Sequence, residues 1–274
     1  MPNDRLQAAI DLARAAGHST LTTFRSNLDV TSKADGSPVT IADRNAERLI
    51  RERLAARFPD DAILGEEFGR TPGTSGYEWV LDPIDGTISF IRGVPLYGAL
   101  IAVLHDNRPV AGVIHMPALD ETVHAARGHG CWHTVAARDP IRCHASTTAR
   151  LADALVALTD PTLFNTHRPG AFDALSRACR SIRGWSDCYA HLLVATGRAD
   201  AAVEPIVSIW DVAPMAVIME EAGGAFLDWT GQQRLTAGHA ISCAAPLATE
   251  LRTLLSPFAP DSQAAPSVQQ RANP

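Results

Sequence analysis

No window of this 274-residue chain approaches the roughly 20 unbroken apolar residues that a membrane span requires. Basic blocks are equally absent: 24 Lys and Arg stand against 30 Asp and Glu, for a net charge of −6. No positive stripe interleaved with aromatics is present to track a phosphate backbone, which argues against a nucleic-acid partner. The five cysteines (Cys131, Cys143, Cys179, Cys188, Cys243) are odd in number, scattered, and without CxxC spacing. A disulfide framework is therefore not expected, and reduced thiols in the cytoplasm are the simpler reading. The opening "MPNDRLQAAIDLARAAGHS" carries Asp4 where a signal peptide would hold only positive charge, and its apolar residues fall on one helix face, so it reads as part of the fold. No internal repeat is visible. What remains is a soluble globular chain of one large domain or two small ones.

Periodicity places helices over residues 4–25 and 40–58, separated by the turn-rich "KADGSPVT". Strands are expected at Ala62–Gly65, Glu78–Leu81, Tyr97–His105 and Val110–Met116, the last two joined through "HDNRP" as a hairpin. Helices follow at 170–181, 186–197 and Val212–Ala222, the last capped by Gly223-Gly224, with a short strand at Ala201–Val203. Helices, then a run of strands, then helices again indicate an α+β arrangement. A loop-like passage near Ala136–Thr148 divides an N-terminal sub-domain, 1–140, from a C-terminal one, 141–255. The proline-rich tail, 256–274, has little to bury and reads as disordered.

The stretch "WVLDPIDGTISF" runs an apolar segment into Asp82 and adds Asp85 three residues later. Pro83 forces a turn at the strand's end, so two carboxylates are aimed at one place. Held close and ionised they repel, and a hard divalent cation such as Mg²⁺ resolves the conflict. Gly86 and Thr87 then offer backbone N–H groups, at the start of a short helix, as a seat for phosphate. Glu66 and Glu67 in "ILGEEFG" again put carboxylates at a strand end, and Asp211 in "SIWDVAP" heads a helix, where it could serve simply as an N-cap.

"GEE", "WVLDPIDGT" and "WDVAPMAVIMEEAGG", in this order and at these separations, resemble the inositol monophosphatase-like superfamily of Mg²⁺-dependent, lithium-sensitive phosphatases, over nearly the whole chain from Leu6 to Leu255. The resemblance implies a layered α-β-α-β-α sandwich. It implies that Glu66, Asp82, the carbonyl of Ile84, Asp85 and Asp211 bind two or three Mg²⁺ ions. Catalysis then falls to Glu66, Thr87 and Asp43, with Thr87 hydrogen-bonded to Asp43 to orient an attacking water and no phospho-enzyme formed. Dimers are usual in such families.

Within that superfamily "SFIRGVPL" resembles the histidinol-phosphate phosphatases, and "WSDCYAHLLVATGRAD" departs from the small residues usual in inositol enzymes. Asp187 suits a cationic substrate, although a carboxylate opening a helix also answers its macrodipole. Trp185, Ser186, Asp187 and Glu204 are the expected contacts to the organic part of the substrate, with Asp85, Gly86, Thr87 and Asp211 near the phosphate. The leading expectation is a cytoplasmic, homodimeric histidinol-phosphatase of histidine biosynthesis acting on a small phosphate ester, with no nucleic-acid or membrane partner. An inositol-1-monophosphatase or broad sugar-phosphate phosphatase is the second. A catalytically silent metal- or phosphate-binding regulatory subunit is the third, against which stands the presence of every metal carboxylate. His124, His129, Cys131 and His133 match no standard zinc spacing. Trp210, Met215 and Cys188 read as structural.

Overall fold

The computed structural model describes residues 2–26, 29–32, 38–185 and 187–260. The helices are α1 (Pro2–Leu21), α2 (Ile41–Arg57), α3 (Thr87–Ile91), α4 (Pro161–His167), α5 (Ala171–Ala178), α6 (Asp187–Ala195), α7 (Ile209–Glu221) and α8 (Ala248–Leu255). The strands of the first half are β1 (Thr31–Ser32), β2 (Pro38–Val39), β3 (Ala62–Gly65), β4 (Gly69–Thr71), β5 (Tyr77–Asp85), β6 (Gly98–His105), β7 (Arg108–Met116), β8 (Glu121–Ala126), β9 (Cys131–Val135) and β10 (Ile141–Arg142). The second half adds β11 (Leu155–Leu158), β12 (Ser181–Arg183), β13 (Ala201–Glu204), β14 (Gly224–Leu227) and β15 (Ala240–Ala244).

Besides the small β1-β2 ribbon, an eight-stranded sheet has the order β10-β9-β8-β7-β6-β5-β3-β4 and a five-stranded sheet the order β12-β11-β13-β15-β14. Side-chain alternation along their central strands sets the layers. On β6, Ala99, Ile101 and Val103 join a core with Ala9, Leu12 and Ile50 of α1 and α2, while Leu100 joins Val212 and Met215 of α7. On β11, Val156 and Leu158 meet Phe164, Leu175 and Leu251 of α4, α5 and α8, while Ala157 meets the α6–α7 core. The order is therefore α1/α2, sheet, α6/α7, sheet, α4/α5/α8, the α-β-α-β-α sandwich that the motifs imply. Each large side chain buried in these seams contributes about 1.5–3 kcal/mol. No described helix is long and apolar enough to cross a membrane.

Several elements differ from expectation. Helix α1 stops at Leu21, and Thr22–Ser26 forms a turn in which Arg25 has φ +62°. Strand β5 does not end at Asp82 but runs through Pro83 to Asp85. Helix α7 begins at Ile209, placing Asp211 in its first turn, where its Oδ2 accepts the Ser208 N–H at 2.7 Å; Asp211 is thus not the cap. At the far end, Ser256–Phe258 forms a 3₁₀ turn with Phe258 packed on the α4/α5/α8 core, so the tail is ordered at least to residue 260 and its remainder lies outside the described residues. Gly223 does end α7 in the left-handed region, φ +72°.

Candidate active site

Residues three apart on a regular strand point to opposite faces. β5 departs from that rule where it matters: Asp82 pairs with Leu100 and Asp85 with Gly98, so Pro83 and Ile84 together stand opposite Ala99 alone. The extra residue is a β-bulge. It returns Asp85 to the face of Asp82, and it accommodates a proline whose missing N–H would break a regular ladder. That face looks toward α6, since a Cβ on Gly98 would lie 2.7 Å from Cys188 Sγ.

Ligand atoms of Asp82, Asp85 and Asp211 come within 4.8 Å of one another. Asp82 is buried and accepts the Ile84 N–H at 3.0 Å; burial first, then the charges of Glu66, Asp85 and Asp211, hold its carboxyl well above the usual range. Asp85 is raised likewise, by burial and then by Asp187 and Asp211, against the opposing pull of a 2.5 Å bond from the Cys188 N–H to its Oδ2. Glu66 follows β3, its N–H donating to Leu81 O at 3.2 Å and its side chain hydrogen-bonding toward Asp82. The donors are hard oxygens from three places in the fold, β5, the loop after β3 and α7, and their mutual repulsion is what a divalent cation would relieve. The set fits Mg²⁺.

The turn after the bulge depends on Gly86, whose φ of +83° a side chain would disfavour, and it leads directly into α3. Thr87 Oγ1 donates to the Ile84 carbonyl at 3.1 Å, and Asp43 Oδ2 accepts the Thr40 N–H at 2.8 Å and its hydroxyl at 2.6 Å. The expected Thr87–Asp43 hydrogen bond is thus not formed. Asp43 is taken up by capping α2, and burial raises its carboxyl.

A cavity of about 110 Å³ opens beside the acidic cluster. Asp85, Asp187, Glu204 and Asp211 line it with Thr159, Leu163, Cys188, His191, Ile206 and Val207, and neither Lys nor Arg is among them. Asp187 opens α6 at φ +55°, a costly conformation for a residue with a side chain, and its Oδ2 lies against Gly86. Glu204 is buried; Thr159 Oγ1 donates to its Oε2 at 2.5 Å, while Oε1 has no partner, and burial pushes the carboxyl well up. His191 Nδ1 meets Ser242 Oγ at 2.8 Å, and burial lowers the ring to about 4, so it is neutral near pH 7. Burial and the charge of Asp85 push the Cys188 thiol up, leaving it protonated and unsuited to nucleophilic attack.

Trp185 is exposed and outside the cavity wall, and Ser186 lies outside the described residues. Met215 is buried in the α6–α7 core, and Trp210 packs against a separate cluster of Leu64, Val80, Ala102, Leu104 and Ala213. The four residues weighed for zinc do not converge: His133 Nε2 hydrogen-bonds Glu121, Cys131 Sγ accepts from the free thiol of Cys143, the His129 carbonyl accepts from Trp132, and the half-buried His124 has an unpartnered Nδ1. Sequence reading missed Thr159 and Leu163, which lie in no motif, and His191, which lies within "WSDCYAHLLVATGRAD" where no residue pattern singles it out. It also missed the main-chain N–H of Cys188, which no residue type announces.

Chains of known kind resemble this one throughout. The Inositol monophosphatase family matches residues 1–262. The Histidinol-phosphatase of Chlorobaculum parvum is 44% identical over 238 residues, covering 86% of this chain and 90% of its own. That of Mycobacterium tuberculosis is 38% identical over 260 residues, covering 93% and 99%. Among solved structures, the extragenic suppressor protein suhB of Bartonella henselae superposes with a TM-score of 0.84 at 28% identity, over 92% of this chain and 98% of that one. With the carboxylates of the bulged strand, the strand-end glutamate and the first-turn aspartate of α7 clustered beside one cavity, and with these matches over nearly its whole length, the chain belongs to the inositol monophosphatase family.

Proposed function

We propose that this member of a phosphatase family hydrolyses L-histidinol phosphate to L-histidinol and phosphate, with two or three Mg²⁺ ions held by Glu66, Asp82, Asp85, Asp211 and the Ile84 carbonyl. One observation carries the choice of ester. Beyond the acidic cluster the cavity holds Asp187 and Glu204, with an unpartnered buried oxygen on Glu204 and neither Lys nor Arg among the described residues of the wall. A carboxylate left so is costly alone and is satisfied by a substrate ammonium or imidazolium. Two relatives named above bear the same activity. An uncharged polyol ring would leave the Glu204 oxygen facing only hydroxyls.

When bound, the metal ions supply neutralisation of the phosphate oxygens and acidification of a water. The chain's own part is positioning. Thr87, its hydroxyl donating a hydrogen bond to the Ile84 carbonyl, retains lone pairs to accept a hydrogen bond from the attacking water, and the N–H groups of Gly86 and Thr87 serve the phosphate. The water oxygen bonds to phosphorus as the P–O bond to the substrate alcohol breaks, and the departing oxygen takes up a proton. Asp43 supports this turn from α2, and Asp187 and Glu204 hold the cationic tail. By the family resemblance Trp185 and Ser186 contact the organic part of the substrate, and the enzyme works as a cytoplasmic homodimer.

The test is phosphate release from histidinol phosphate and inositol 1-phosphate with excess Mg²⁺. A kcat/KM at least about 100-fold higher for the former is expected, the scale of two charged hydrogen bonds. A preference for the inositol ester would overturn the substrate while leaving the phosphatase class intact.

A further inference from the structure

Glu66 sits in a three-residue hairpin loop, 66–68, between β3 and β4, a segment that by itself has few constraints. Beneath it lies a side chain to which no role has been given. Glu47 of α2 is fully buried, and its Oε2 accepts the Glu67 N–H at 2.7 Å while its Oε1 accepts the Phe68 N–H at 3.2 Å. Oε1 also takes Arg51 Nε at 2.7 Å. The rest of the Arg51 guanidinium reaches over the hairpin's returning strand, to Gly69 O at 2.5 Å and Thr71 Oγ1 at 3.0 Å. Backbone groups of the loop and of the strand that follows it are thus held by one helix surface.

The fit is close enough to constrain the sequence. A Cβ on Gly65 would lie 2.1 Å from Glu47 Oε1, so the residue before Glu66 must be glycine for the carboxylate to come beneath the loop. Asp43, Glu47 and Arg51 recur at intervals of four along α2, which places them along one side of the helix. An ordinary surface salt bridge leaves its acid exposed. Here a buried carboxylate is spent on two loop amides next to a site residue, in the manner of the outer groups that orient metal ligands.

We propose that Glu47, supported by Arg51, is a positioning residue that holds the Glu66 loop in place for the divalent cation before the cation arrives. Glu66 must approach Asp82 against like charge, and a loop free to swing away would relieve that repulsion at the expense of metal affinity. The inference rests on the metal reading of the site.

Glu47→Gln keeps the side chain's shape but turns an amide N–H₂ toward donors. Calorimetric titration of the metal-free protein with Mn²⁺ should show the dissociation constant raised about 10-fold or more, with KM for the ester at saturating metal unchanged within about two-fold. Arg51→Met, which leaves both loop amides bonded, should raise it by a smaller factor and serves as the deciding variant where Glu47→Gln fails to fold. An unchanged metal constant in a folded variant, even one with lowered Tm, makes Glu47 merely structural and overturns the inference. A wild-type protein that binds no Mn²⁺ overturns the metal reading with it, so the two failures are distinct.

Discussion

Replacing Asp85 by asparagine tests whether the carboxylate cluster is built for a cation. At the 4.8 Å that bounds the ligand atoms of Asp82, Asp85 and Asp211, two unit charges repel by about 3.5 kcal/mol at an effective dielectric near 20. Protonation limits that cost, because keeping a carboxyl with an ordinary value near 3.9 neutral at pH 7 takes about 4 kcal/mol. The asparagine carbonyl can still accept the Cys188 N–H, losing only the charged share of that bond, about 1 kcal/mol. The metal-free variant should therefore be more stable than the native chain by about 2 kcal/mol at pH 7, or roughly 4–8 °C in Tm. The sign follows from the direction of the shift: a carboxyl raised on folding has its full stability below its unfolded value, near 3.9, and loses it as pH climbs through the raised folded value. The gain in Tm should thus vanish near pH 4 and grow toward pH 8. Calorimetric melts in EDTA across that range, repeated with excess Mg²⁺, read it directly; Mg²⁺ should stabilise the native chain far more than the variant, and turnover should be lost. A variant less stable than the native chain in EDTA at pH 7.5 would refute the reasoning and make Asp85 a structural residue held by Cys188.

Glu204→Gln keeps the Thr159 bond and removes the charge, so KM for histidinol phosphate should rise about 10-fold or more while kcat/KM for a neutral ester such as glycerol 2-phosphate stays within about two-fold; equal losses on both esters would count against a cation subsite. Asp61 is buried, which alone would raise its carboxyl, but bonds from Arg5, Ser75 and Trp79 outweigh burial and hold it below the usual range. Its stabilisation is present above its unfolded value and lost as pH falls through the folded one. Asp61→Asn should accordingly cost about 2–4 kcal/mol at pH 7 and much less near pH 3, as measured by urea melts at both.

How much of this was legible in sequence differs from element to element. Ala62–Gly65 was placed as a strand with its bounds correct, since a short apolar run between Pro59 and the glutamate pair leaves little choice. Helix α2 began where Thr40 caps it, one residue from expectation. The edge strands β10 and β12 and the helix α4 were not found, because two- and three-residue strands and a seven-residue helix carry too little periodicity to register. At the site, residue type at element ends draws attention to Asp82, Asp85, Glu66 and Asp211, and the family resemblance is what makes them candidate metal ligands; the structure places Asp82, Asp85 and Asp211 together. The pairing of Thr87 with Asp43 was not borne out, because the cap on α2 claims the aspartate, and competition between local and distant bonds is invisible in a motif.

By itself the sequence determined which chemistry is available: hard oxygen donors at the ends of apolar runs, no thiol motif, no basic tract, and the helix and strand periods that produce alternating layers. Only the tertiary structure decided that these donors meet. Spacing alone puts Asp82 and Asp85 on opposite faces of a strand, and the bulge at Pro83-Ile84 against Ala99 is what turns them to one side. It also brought Cys188, Asp187 and Glu204 to that face from 100 or more residues away along the chain. Local residue preferences act over a few positions, whereas register and layer packing act between segments remote in sequence, so the acidic residues were foreseeable and the cavity beside them was not.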